Sequence, residues 1–95
     1  MEFDFSAAVF EWRGPAPFYF VAVPEGPSED LRALSAVVTY GWGMIPVEAR
    51  IGATTWTTSL FAKDGRYVVP LKLAIRRAEG IELDDVVDVV LSVTL

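Results

Sequence analysis

The sequence predicts a mainly β fold with two short helices: a small closed β-barrel built by one chain from two pseudo-repeated halves. Three observations carry this. Apolar residues alternate with polar ones along several short segments, the period of a half-buried strand. Asp64-Gly65 lies between two such segments and is a strong hairpin signal. The order strand, strand, proline, helix, glycine, strand occurs twice: Phe20-Val21-Ala22-Val23-Pro24 matches Arg66-Tyr67-Val68-Val69-Pro70 in pattern, at an offset of 46 residues (70 − 24). One half alone would be an open, curved sheet with bare edges, and two halves can close into a barrel of about six strands with the helices over its openings.

The elements follow in chain order. Phe3, Phe5, Ala7 and Val9 alternate with Glu2, Asp4, Ser6 and Ala8 in a first strand. Gly14-Pro15-Ala16-Pro17 is a loop, and Phe18 to Val23, aromatic and β-branched, is a strand that forms a hairpin with the first. Pro24-Glu25-Gly26-Pro27 ends it. Ser28 reads as the N-cap of a helix with Glu29 and Asp30 in its first turn. Leu31, Leu34 and Val38 share one face of that helix, with Ser35 beside them, and it stops near Tyr40-Gly41.

Ile45, Val47, Ala49 and Ile51 mark a third strand, which Pro46 implies starts at an edge or a bulge. Gly52-Ala53 turns the chain into Thr54 to Phe61. Arg66 to Val69 returns from the Asp64-Gly65 turn. Leu71, Ala74, Ile75 and Ala78 are the expected buried face of a second helix capped by Gly80. Val87, Val89, Leu91, Val93 and Leu95 alternate with Asp88, Ser92 and Thr94 in the last strand. The expected inward set is Phe3, Phe5, Val9, Leu31, Leu34, Ile51, Leu60, Leu71, Ile75, Val87, Val89 and Leu91.

Composition limits the function. Ninety-five residues, 53% hydrophobic, make one domain over 1–95. No apolar run approaches the ~20 residues of a membrane helix, and the acidic, alternating N-terminus is unlike a secretory signal, so the expected location is cytoplasmic. Zero cysteines remove disulfides and thiolate chemistry; zero histidines remove the side chain that most readily exchanges a proton near neutral pH. No catalytic set, metal-ligand cluster or cofactor motif stands out. Asp4, Glu11 and Glu48 read as lone carboxylates on solvated strand faces.

Two resemblances follow from particular residues. Asp64 to Leu95, with Gly65-Arg66-Tyr67-Val68-Val69-Pro70, a helix and Gly80-Ile81-Glu82-Leu83-Asp84-Asp85, resembles the half-barrel of AbrB-type transcription factors, in which two chains supply one half each. A broader set covers nearly the whole chain: Phe5-Ser6-Ala7, Gly41-Trp42-Gly43, Ile51-Gly52, Trp56, Thr58-Ser59-Leu60-Phe61, and Tyr67 to Pro70 with Lys72 and Arg76. It resembles a small uncharacterised bacterial domain of unknown function, of the kind that occurs alone or fused to a YdeI/OmpD-associated (bacteriocin-protection) domain. This resemblance implies a single-chain barrel related to the AbrB type, of the double-split or swapped-hairpin kind, and supplies no activity.

Three features stand as candidate sites. Trp42 between two glycines is either a stacking surface or a plug for one end of the barrel. Lys63, Arg66, Lys72, Arg76 and Arg77 are five of the eight cations in a chain of net charge −5; they bind an anion, or they are a solvated face balanced by Glu79, Glu82, Asp84 and Asp85. Trp56, in the polar run Thr54 to Ser59, lines a shallow groove with Trp42, or belongs to an exposed sheet face.

Together they favour a non-catalytic binding module for a small anionic ligand or a protein partner, with Trp42, Trp56, Lys72 and Arg76 as the ligand-binding set. An AbrB-like nucleic-acid-binding regulator is the alternative, opposed by the acid excess; an enzyme is the least expected class. With both halves in one chain, a monomer should fold alone, which leaves room for a weak dimer.

Overall fold

The computed structural model describes residues 1–12, 18–38 and 44–93, the side chains of 36–38 excepted. Among these residues, seven strands and two helices follow in the order β1 (Glu2–Ala8), β2 (Phe10–Trp12), β3 (Phe18–Ala22), α1 (Glu25–Val38), β4 (Ile45–Ile51), β5 (Thr54–Lys63), β6 (Arg66–Leu71), α2 (Leu73–Glu79) and β7 (Val86–Val93). All ladders are antiparallel, and the strands form one curled sheet in the order β1-β7-β4-β5-β6-β3-β2.

The expectation of a closed barrel is corrected: the sheet is a half-barrel whose edge strands, β1 and β2, do not pair with each other. The reason lies at Val9. The predicted first strand splits there, its first part joining β7 and its second part forming the hairpin with β3. Consecutive pieces of one nearly continuous segment cannot turn back on one another as ladder neighbours. Val9 itself bonds to the 84–85 turn, its N–H donating to the Asp85 carbonyl (2.8 Å) and its carbonyl accepting from the Asp84 N–H (2.9 Å).

The β5–β6 hairpin is as the sequence implies. Asp64 and Gly65 both take positive φ, 51° and 79°, the backbone of a two-residue turn matched to strand twist. Both prolines inside strands sit where a missing N–H costs little. Pro46 precedes the stretch of β4 that pairs with β7, and Pro70 lies beyond the stretch of β6 that pairs with β5. Pro70 is therefore a strand residue, not the strand's terminator.

The first helix begins at Glu25, three residues before the predicted cap. Pro27 lies in its first turn, where backbone N–H groups have no helical partner anyway. Ser28 is not the N-cap. It is buried, its hydroxyl donating to the Val23 carbonyl (3.0 Å) and accepting from the Tyr67 N–H (3.2 Å). It thus stitches α1 to the end of the β3–β6 ladder. In α2, Gly80 caps in the left-handed conformation (φ 63°, ψ 36°) as expected, but only Ile75 of the helix is buried. Ala74 and Ala78 are exposed because α2 is only seven residues long and lies over the sheet on one narrow stripe.

The core fills the inner face of the sheet. Val9, Val21, Leu31, Ile45, Leu60, Val89 and Leu91 are among its fully buried members, and Ile81 closes it beyond α2. Phe3 and Leu34, expected inside, are half-buried at its margin. Val38, Trp42 with its flanking Gly41 and Gly43, and the 14–17 loop lie outside the described side chains or residues, as do Thr94 and Leu95. No helix of the described residues is long and apolar enough to cross a membrane.

Candidate functional site

The two cations singled out by sequence share one depression. Lys72 and Arg76 line a cavity of about 340 Å³ together with Phe18, Pro70, Leu71 and Leu73. The register explains the meeting. Tyr19 lies opposite Leu71 and Phe20 opposite Pro70, so Phe18 reaches the point where β6 gives way to α2. Lys72 is the residue just before the helix, with extended backbone (φ −66°, ψ 154°), and Arg76 follows one turn later on the same flank.

The two cations are held differently. Arg76 is half-buried; its Nε–H donates to the Leu71 carbonyl (3.2 Å), and its guanidinium lies 4.1 Å from the centre of the Tyr19 ring. Of the five guanidinium N–H donors, that bond uses one. Lys72 is exposed on a flexible stem. Among the described residues, no carboxylate lines the cavity. A fixed planar fork beside a mobile ammonium suits a phosphate or carboxylate oxygen set.

The other predicted residues do not join them. Trp56 points to the inner face of the sheet, packs against the core from β5 and does not line this cavity. Its indole Nε1 is buried without a hydrogen-bond partner among the described residues. Trp42 lies outside the described residues. Lys63 and Arg66 belong to the β5–β6 hairpin end. Lys63 pairs with Asp64 (2.9 Å) and lies 4.7 Å over the Trp12 ring, while the Arg66 Nε–H donates to the Val23 carbonyl (3.0 Å). Arg77 is exposed on α2 and is not a lining residue. The basic run is thus divided between two places.

Sequence reasoning missed the aromatic surface beside the cavity. Phe20 is buried on the outer face of the sheet, away from the main core, by rings that approach it from Phe10 (5.9 Å), Trp12 (5.9 Å), Phe18 (6.3 Å) and Phe61 (5.5 Å). The signal was present: Phe10 and Trp12, then Phe18 and Phe20, are aromatic at spacing two on both arms of a hairpin. That pattern marks a shared face once the strand break at Val9 is known.

A second cavity, of about 320 Å³, is lined at the Gly52 turn by Glu79, Gly80, Ile81 and the 85–88 segment. Its three carboxylates serve the fold. Glu79 accepts from the Thr54 hydroxyl (2.5 Å), Asp85 from the Glu82 N–H (2.8 Å), and Asp88 from the Ser6 hydroxyl. Among the described residues, no group of three or more acidic side chains is arranged to hold a metal ion.

No curated protein matches the chain. A family model does, over residues 5–91, which takes in both helices, the whole of β2 to β6, and part of β1 and β7. The chain therefore belongs to the family described as Domain of unknown function (DUF1905).

Proposed function

We propose that this protein is a non-catalytic binding module for a small anionic ligand, held at the mouth formed by β3, the end of β6 and α2. The observation that carries the reading is the shared cavity of Lys72 and Arg76, whose other described lining residues are all apolar. In a chain of net charge −5, two cations without a lining counter-charge are a local departure from the surface as a whole. Calorimetric titration with inorganic phosphate and with acetate tests it. Binding by the native chain that is lost in Lys72→Gln, with the thermal midpoint unchanged, supports the reading; binding that persists unchanged in that variant refutes it.

The nucleic-acid alternative draws on one observation, two exposed rings each beside a lysine: Trp12 under Lys63, and Phe18 in the cavity it shares with Lys72. The acid excess weighs against it, because strand affinity rests largely on phosphate neutralisation. A gel shift at low salt that survives at moderate salt would favour it over the small-ligand reading.

We also infer that the chain folds as a monomer from two halves related by an approximate two-fold. The opening strand of each half pairs with the closing strand of the other, β1 with β7 and β5 with β4. The sequence offset of 46 recurs in the ladders, where Ala22 faces Val68 (68 − 22) and Val47 faces Val93 (93 − 47). These pairings support a swapped arrangement of AbrB-like type completed within one chain.

A further inference from the structure

We infer that the ligand of the Lys72–Arg76 cavity is an amphipathic anion: a phosphate or carboxylate carried on a flat apolar ring, not a bare inorganic ion. This rests on the anion-binding reading above and names the ligand class.

The apolar part of the cavity is as definite as the charged part. Phe18 is 58% exposed and Leu73 48%, and both line it beside Pro70. Large apolar side chains left open side by side at a concave site are unusual on a soluble surface and mark a place where apolar matter is received. Four of the six lining residues are apolar, and no hydroxyl or amide side chain is among them. A bare phosphate would contact the two cations and leave Phe18 and Leu73 wet. A neutral hydrocarbon would cover them and leave the cations without use.

The geometry also favours a ring. Phe18 and Pro70 each present a flat face, and Phe18 already takes part in the tilted ring packing of the neighbouring aromatic cluster. Arg76 is fixed by Tyr19 and the Leu71 carbonyl, so its free N–H groups hold a set position at the rim. A ligand whose ring lies on Phe18, Pro70 and Leu73 would bring its acidic group to that rim, with Lys72 closing on it. The volume, about 340 Å³, is at the small end of the range for ligand sites, about 300–1,000 Å³. It suits one ring system with one acidic group and excludes a long chain. A second copy of this protein is a poorer occupant, since a symmetric contact here would set Lys72 and Arg76 against their own counterparts.

The test is an isotope-labelled NMR titration with four probes: 1-naphthyl phosphate, 1-naphthoate, inorganic phosphate and 1-naphthol. Both ring-bearing anions should bind at least tenfold tighter than inorganic phosphate, with shifts at Phe18, Leu73 and Arg76. Leu73→Ala, a change at an exposed helix position that keeps a good helix former, should weaken the naphthyl anions at least threefold and leave phosphate unchanged. Lys72→Gln should weaken the anions and leave naphthol unchanged. Equal affinity for phosphate and naphthyl phosphate would overturn the amphipathic inference while leaving the anion reading in place. Naphthol binding as tightly as the anions, shifts mapping elsewhere, or no binding by any probe would overturn both.

Discussion

Ser28→Ala is the sharpest probe of how α1 is fastened to the sheet. The Val23 N–H already donates to the Tyr67 carbonyl (2.8 Å), which is one bond of an antiparallel pair. The reciprocal bond is absent; the Ser28 hydroxyl stands in its place, accepting from Tyr67 N–H and donating to the Val23 carbonyl. Alanine removes both contacts. The Val23 carbonyl keeps the Arg66 Nε–H at 3.0 Å, so the group left stranded in the interior is the Tyr67 N–H. An unsatisfied buried donor costs about 1–3 kcal/mol, and the gain in helix propensity from serine to alanine returns at most about 0.5 kcal/mol. The net loss should be about 0.5–2.5 kcal/mol. Since each kcal/mol moves the midpoint of a chain this size by about 4–8 °C, a drop on the order of 10 °C is expected. Urea denaturation followed by tryptophan fluorescence should show a lower midpoint at unchanged slope. A loss under about 0.5 kcal/mol would mean that β3 and β6 close directly on one another and that the hydroxyl is dispensable.

Leu60→Ala, at a fully buried position of β5, should cost about 2–5 kcal/mol, and Ile75→Ala should fall at the low end of that range because Ile75 keeps 9% exposure and lies outside the main cluster; calorimetric melting that ranks them in the opposite order would contradict the core assignment. Gly80→Ala forces a Cβ into left-handed backbone (φ 63°) and should destabilise by about 1 kcal/mol, read from denaturant midpoints; no change would mean that the cap relaxes freely. Arg76→Gln should lower stability by about 1 kcal/mol through loss of the Leu71 bond and the Tyr19 contact, whereas Lys72→Gln should stay within about 0.5 kcal/mol, so a pair of equal effects would refute the different anchoring of the two cations. Dilution through the micromolar range, followed by sedimentation and circular dichroism, should leave folded chains; concentration-dependent unfolding would place the two halves on different chains.

The local features of the fold were readable because they depend on short-range chemistry. Asp64-Gly65 and Gly80 demand positive φ, and β4 and β7 announce themselves by alternation. The N-terminal segment misled for a physical reason. Alternation through Val9 shows that a segment is extended, not that it changes ladder partners, and that change is fixed by the distant 84–85 turn. Pro27 misled in the same way. Proline marks a boundary in sequence, yet the first helical turn tolerates it, so Ser28 could be carried inside and used as a buried bridge. At the candidate site, the i, i+4 spacing of Lys72 and Arg76 was enough to pair them. Phe18, Pro70 and Leu73 were not legible as their companions, because their meeting depends on the β3–β6 register.

The central claim is that Lys72 and Arg76 form an anion site. Its most direct measurement is an amide-resolved NMR titration of the native chain with 1-naphthyl phosphate at low ionic strength, repeated on Lys72→Gln. The account requires saturable shifts centred on the 70–76 segment and Phe18, and their loss in the variant. Shifts that are absent, that grow without saturation, or that centre on the β5–β6 hairpin around Lys63 and Arg66 would contradict it.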